Sequence, residues 1–398
     1  MTRAPPRRVL PVLVLAQFAG TSMWFAVNAV MPDLQREFGW PASAVGTLTS
    51  TLQLGFILGT LVFALLTLAD RYPPRRVFLV CSLAGAACTV AGWWMVADFS
   101  ALLGWRAATG FFLAGIYPVG MKIAAQWFPK GLGAALGLLI GALILGSASP
   151  HALRALSSSL PWHSVMLGVA ALVALGGVGL FLGLPEPPPR AGVVPGTQPG
   201  ALQWRTLFVI WTDRRVRGSV FAYFGHMWEL YTMWVLVPLI LATRLSGAAL
   251  SLAAFCVLGG GVIGCVGGGY LARYFGSARV GGVQLATSGL CCLLAPWLID
   301  ASAAPFGLWL LVWGITVSGD SPQFSALTAR NAPPRVVGSV LTLTNCLGFT
   351  ISVVSIELFV ALSRDYPLGT LLPWLGLGPL LGLWGLWPLL REKHRIEA

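Results

Sequence analysis

Apolar residues fall into long blocks separated by short polar stretches, at roughly 9 to 31, 44 to 68, 77 to 97, 101 to 127, 132 to 153 and 163 to 184. The pattern repeats at roughly 216 to 240, 248 to 272, 280 to 299, 305 to 328, 336 to 361 and 368 to 390. Each block is long enough to cross a hydrocarbon layer of about 30 Å as a helix rising 1.5 Å per residue. None shows the period-two alternation of barrel strands, and a segment in lipid must pair its own amides and carbonyls. The pattern therefore predicts an all-α polytopic membrane protein with twelve transmembrane helices. Arg3, Arg7 and Arg8 before the first block imitate a secretory signal. That block is about 23 residues long and lacks a small-residue cleavage site, so it reads as the first span.

The polar breaks divide the chain in the middle. Pro185-Glu186-Pro187-Pro188-Pro189-Arg190 and the Gly/Pro-containing stretch to Gly200 can neither pack nor span. Residues 204 to 217 are basic and aromatic and are expected to lie on the membrane surface. The expected domains are a six-helix lobe over 1–184, a linker with its surface segment over 185–215, and a second six-helix lobe over 216–398.

The two halves look like copies. Leu68-Ala69-Asp70-Arg71-Tyr72-Pro73-Pro74-Arg75-Arg76-Val77 is echoed 203 residues later by Leu271-Ala272-Arg273-Tyr274-Phe275-Gly276-Ser277-Ala278-Arg279-Val280. Met23-Trp24 recurs as Met227-Trp228, and Gly115, Pro118, Ala125 and Pro129 recur as Gly319, Pro322, Ala329 and Pro333, all at an offset of 204. Chance matches would scatter in offset; these four regions stay in register, which predicts two pseudo-symmetric lobes.

Composition removes the soluble alternative. With 57% hydrophobic and 10% charged residues, too little polar surface exists to cover a soluble globule. The formal charge of +12 is a matter of topology. Counted by side, 19 Lys and Arg fall with the amino terminus and 4 on the other face (Arg36, Arg154, Arg244, Arg364), with Arg106 and Lys122 inside spans. The positive-inside rule then places both termini and the linker in the cytoplasm, as expected in a bacterial inner membrane. No basic stripe marks a nucleic-acid surface. The 7 cysteines lie within apolar runs and offer neither a disulfide framework nor metal spacing.

Six helices, a cytoplasmic linker and six more, with a charged turn after the second helix of each half, resemble the major facilitator superfamily over essentially the whole chain. The marker is that family's Gly-x-Leu-Ala-Asp-Arg-x-Gly-Arg-Arg loop. Leu68, Ala69, Asp70, Arg71, Arg75 and Arg76 supply its charged part, while Leu66 and Pro73 replace its glycines. The second copy keeps Gly269 and Gly276 but carries Arg273 in place of the acid. The resemblance implies that Asp70, Arg71, Arg75 and Arg76 form a latch between the lobes in the outward-open state. A second family marker, Arg-x-x-x-Gly in the fourth helix, matches Arg106 and Gly110. The segment from Tyr117 to Pro129 looks like branches that move small organic or inorganic anions, although the nitrate signature is not evident after it. Drug-exporter spacing at Gly146 to Pro150 is incomplete.

Charges retained inside spans are functional candidates, because each costs about 2.5 to 3.5 kcal/mol to insert. Here they are Arg106, Lys122, Glu229, Asp320 and Glu357. The resemblance places the first, fourth, seventh and tenth helices around the central cavity, which favours Arg106, Glu229 and Asp320. Arg106, Gly110, Leu113 and Tyr117 recur at helical spacing on one face, as do Trp24 with Asn28 and His226 with Glu229. Lys122, about 160° around from Arg106, is expected to snorkel, and Glu357 to be structural. The expected substrate contacts are Trp24, Asn28, Arg106, Tyr117, His226, Trp228, Glu229, Asp320 and Gln323, with Glu229 and Asp320 as proton carriers.

These readings predict a secondary transporter working by alternating access, coupled to protons and moving a small polar or anionic solute. Proton antiport of an amphipathic or cationic compound, held against Trp24 and Trp228, stays open, as does a non-transporting sensor. No nucleotide-binding loop and no Ser/His/Asp arrangement exists, so an enzyme is not expected. No cofactor or metal is implied; the expected partners are the solute, protons and the bilayer, with the chain acting as a monomer.

Overall fold

The computed structural model describes residues 6–128, 132–157, 159–185, 207–333 and 336–391, and all regular structure among them is helical. In the first half the helices are α1 (Val9–Thr21), α2 (Ala26–Phe38), α3 (Ala44–Leu65), α4 (Leu68–Arg71), α5 (Pro74–Trp94), α6 (Phe99–Leu113), α7 (Tyr117–Trp127), α8 (Leu132–Leu156) and α9 (His163–Gly183). In the second they are α10 (Leu207–Thr212), α11 (Arg214–Ala242), α12 (Gly247–Gly259), α13 (Gly261–Phe275), α14 (Ser277–Leu298), α15 (Ala303–Gly319), α16 (Ser321–Asn331), α17 (Val337–Leu362), α18 (Leu368–Leu375) and α19 (Leu377–Leu390). The chain forms two compact units, one of Met1–Trp40 with Thr51–Leu202, the other of Pro41–Ser50 with Gln203–Ala398.

Several expected spans are two helices in line. The first bends at residues 22–25, the fourth at 114–116 and the tenth at Asp320. Among the described residues 11 segments are long and apolar enough to cross a membrane unaided. The expected tenth span is the exception; its two helices, α15 of 17 residues and α16 of 11, meet at Asp320. Pro118 and Pro322 sit at the second position of α7 and α16, where the missing amide costs nothing but the preceding residue is pushed out of helix. Both proline-marked breaks therefore follow from the duplicated sequence.

The seventh span begins at Arg214, two residues before the expected boundary, because Asp213 caps it. Its Oδ1 accepts from the amides of Arg215 at 2.8 Å and Val216 at 3.0 Å. In the first unit Asp98 caps α6, accepting from the Ser100 and Ala101 amides at 3.0 and 3.2 Å. The Ser100 hydroxyl and the Ala101 amide hold its carboxyl below the usual aspartate range. Residues 186–206 of the expected linker lie outside the described residues. Of the expected surface segment, α10 buries Ile210 against Val216, Val220, Ala332 and Val340 while Phe208 and Trp211 stay exposed. That two-faced arrangement suits a helix lying along an interface.

Each unit carries the same glycine crossing. A Cβ on Gly59 would overlap the Phe111 carbonyl and one on Gly110 the Leu52 carbonyl. In the second unit Gly264 meets the Ile315 carbonyl and Gly314 the Val257 carbonyl in the same way. The two sets are 204 to 205 positions apart, so the duplication extends to backbone contacts between second and fourth, and eighth and tenth, spans. Gly110→Ala and Gly314→Ala are each expected to cost about 1–3 kcal/mol through overpacking, read as a lower thermal midpoint in detergent. Gly104→Ala, whose added carbon meets nothing within 4 Å, should leave the midpoint in place. Equal midpoints for all three would refute the crossing.

Candidate functional site

In the first unit the site grows out of the broken first span. Residues 22–25 leave the helix between α1 and α2, which frees the Met23 and Trp24 carbonyls inside an apolar bundle. Arg106 of α6 answers both, donating from Nη1 to Met23 at 3.2 Å and from Nη2 to Trp24 at 2.8 Å. Carbonyl oxygens satisfy hydrogen bonds but carry no compensating charge. Arg106 is 4% exposed, and among the described residues it has no carboxylate partner and its Nε no hydrogen-bond partner. Beside it the rings of Trp24 and Phe56 meet at 5.1 Å.

The predicted faces need correction here. Trp24 sits in the break and Asn28 in α2, so they do not share a continuous helical face. The break at 114–116 likewise separates Tyr117 from the face of Arg106 and Gly110.

The second unit holds the acids. Glu229 of α11 is fully buried. Its Oε1 accepts from Trp313 Nε1 of α15 at 2.6 Å and from the Cys292 thiol of α14 at 3.2 Å, and its Oε2 from the Ser288 hydroxyl at 2.9 Å. Three uncharged donors on two neighbouring helices thus surround one carboxyl group. One turn away on α11, His226 Nδ1 lies 2.7 Å from Asp320 Oδ1, at the bend between α15 and α16, with both side chains fully buried. The approach is off the line of an aligned hydrogen bond, so it acts as a close charge pair when the imidazole is protonated. The shared face predicted for His226 and Glu229 points both into the same helical packet. Gln323 is buried one turn into α16, and the ring of Trp228 packs edge-on to Phe359 at 6.0 Å.

At the charged turn the head group of Lys122 reaches the polar end of its span. Its Nζ pairs with the Asp70 carboxylate and also donates to the Ala69 carbonyl. Arg75 donates to the Leu184 carbonyl at 3.1 Å and lies over the Phe181 ring at 5.1 Å. Asp70 and Arg75 therefore bind the turn to the fourth and sixth spans of their own unit, while Arg71 and Arg76 are exposed. Thr67, at the start of the turn, holds φ at 50°, a left-handed position that a β-branched residue occupies only under strain. In the echoing turn Gly276, at the place of Pro73, takes φ 82° without that cost.

With this geometry in place, the comparisons with known proteins decide the family. The sequence model of the Major Facilitator Superfamily matches residues 13–356. The chain belongs to the major facilitator superfamily. As a superfamily member it is a multi-pass membrane transporter and not an enzyme. The gallate transporter of Pseudomonas putida is 27% identical over 167 residues, covering 41% of this chain and 37% of that relative. The crystal structure of the human organic anion transporter MFSD10 (TETRAN) superposes with a TM-score of 0.72 at 18% identity, covering 96% of this transporter and 100% of the human chain. That likeness carries the fold.

Sequence reasoning missed Ser288, Cys292 and Trp313, which lie on three different turns of two helices and carry no charge to flag them. Glu229 itself was the available signal, since an acid inside a span needs donors from whatever packs against it.

Proposed function

We propose that this transporter carries small organic anions together with protons, as a monomer in a bacterial inner membrane with both termini in the cytoplasm. The observation that carries the reading is Arg106, a buried guanidinium whose hydrogen bonds go to neutral carbonyls and whose charge has no counter-ion among the described residues. A cation in that setting is stabilised by an anion arriving from outside. The partial relative that carries gallate points the same way. Glu229 and Asp320 supply the protonatable groups, and the net movement of an anion with a proton leaves less charge to be driven across the bilayer. The orientation rests on the basic excess at the end that holds the charged turn.

Reconstituted into vesicles, the protein is expected to accumulate labelled benzoate or gallate when the outside is made acidic, and to lose the accumulation when a protonophore collapses the gradient. Expulsion of an amphipathic cation into an acidic exterior, with no carboxylate uptake in either direction, would overturn the reading in favour of antiport. Binding of carboxylates with no flux would instead mark a sensor.

A further inference from the structure

We infer that Gln53 and His151, with Arg106, form a subsite in the first unit that selects hydroxyl-bearing aromatic carboxylates over plain carboxylates and inorganic anions. The inference rests on the organic-anion reading and names the substrate class of the same site.

The placement follows from helix packing. The second and fourth spans run parallel and touch through backbone where Gly110 meets the Leu52 carbonyl and the Phe56 amide. Gln53 follows Leu52 directly, which sets it at the depth of Arg106 within about one turn. Phe56 lies three residues on, on the same face of α3, and its ring meets Trp24, whose carbonyl Arg106 holds. The first and fifth spans also run parallel. Thr21 donates to the Leu143 carbonyl at 3.3 Å, and Gly146 sits against the Phe18 carbonyl and the Thr21 hydroxyl. Farther along the same pair, Arg154 grips Asp33 at 2.9 and 3.0 Å. His151 lies between these two contacts, level with the start of α2 just beyond the bend that Arg106 caps. Three polar groups from three helices and two aromatic rings thus fall within about two turns of one another along the axis of the unit.

Their chemistry is what selects. Gln53 is 0% and His151 1% exposed, and neither the Gln53 amide oxygen or nitrogen nor either His151 nitrogen has a hydrogen-bond partner among the described residues. Burying such groups without partners costs about 1–3 kcal/mol each, so a ligand that satisfies them is strongly preferred to one that does not. The carboxamide offers both donors and an acceptor, and a neutral imidazole offers one of each. A hydroxyl matches both roles. Nitrate or an unsubstituted carboxylate brings acceptors alone, leaving the Gln53 oxygen and one imidazole nitrogen facing lone pairs, and phosphate, which does carry a hydroxyl, lacks the flat ring that Trp24 and Phe56 would wall. Arg106 Nε supplies the donor for the carboxylate, and Trp24 with Phe56 the wall for a flat ring.

The test is competition against labelled gallate, with unlabelled gallate, benzoate, nitrate and inorganic phosphate, on the purified full chain and its Gln53→Leu and His151→Phe variants. Gallate is expected to bind at least about tenfold more tightly than benzoate to the unmodified protein, with nitrate and phosphate weaker still, and each substitution is expected to bring gallate down to the benzoate level while leaving benzoate in place. Both substitutions should also raise the thermal midpoint of the ligand-free protein, since each replaces an unpartnered buried polar group by an apolar one. A merely structural role would lower it. Equal affinity for gallate and benzoate in the unmodified protein, equal loss of both acids in the variants, or a lowered midpoint overturns the subsite and leaves the anion reading standing. Failure of every carboxylate to bind or move, with the protein folded, sinks the anion reading itself.

Discussion

Arg106→Gln is expected to abolish accumulation of organic anions, and Arg106→Lys to slow it about 100-fold, in vesicles where the unmodified transporter accumulates them. Glutamine removes the charge but still reaches a carbonyl, so it isolates the electrostatic role. Lysine keeps the charge but cannot donate to the Met23 and Trp24 carbonyls from two fixed nitrogens at once. Losing one partner of a buried charged contact costs about 2–5 kcal/mol, and about 1.4 kcal/mol is a factor of ten, which sets the scale for both variants. Because Arg106 also closes the bend in the first span, the thermal midpoint should drop in each variant; the separating quantity is affinity for the anion in protein that remains folded. Wild-type uptake by folded Arg106→Gln would remove the buried cation from the account of binding.

The second large effect is expected at Glu229. Glu229→Gln retains shape, and its carbonyl oxygen can take the bonds from Trp313 and Cys292 while its amide donates to the Ser288 oxygen, so the packet stays satisfied. What is lost is the ability to gain and release a proton. The expected result is a transporter that still exchanges internal for external anion with no gradient imposed, but no longer concentrates it when the outside is acidified. Exchange and accumulation are measured on the same vesicles, so a folding defect, which reduces both, is distinguished from uncoupling, which reduces one. Unchanged accumulation would exclude Glu229 as the proton carrier and move the role to Asp320 with His226.

The helical architecture was legible because lipid leaves few choices. A run of apolar residues of bilayer length has to be a helix, and a duplicated sequence has to repeat its bends, so Pro118 and Pro322 gave away both proline-marked breaks. The break at residues 22–25 was not legible. No proline or glycine stands there, and the carbonyls it frees are paid for by Arg106, 82 residues away from Trp24. Glu229 and Asp320 were visible as charges in apolar surroundings, yet nothing local tells which way a side chain turns on a helix buried almost all round. Gln53 and His151 went unnoticed because uncharged polar residues are common in spans, and only three-dimensional packing reveals that no neighbour answers them.

The glycine crossings constrain how such a molecule can deform. Where main chain rests on main chain there is no rotamer to flip and no groove into which a ridge could slip, so α3 with α6, and α12 and α13 with α15, behave as paired beams. Curvature has to be taken up at the joints just past each beam, residues 114–116 and Asp320, and the second of these joints carries an ionisable group where the first has Ile116. One elbow of this duplicated pattern thus carries a carboxyl where its twin carries an alkyl side chain, so the two units differ chemically at the point where each can bend.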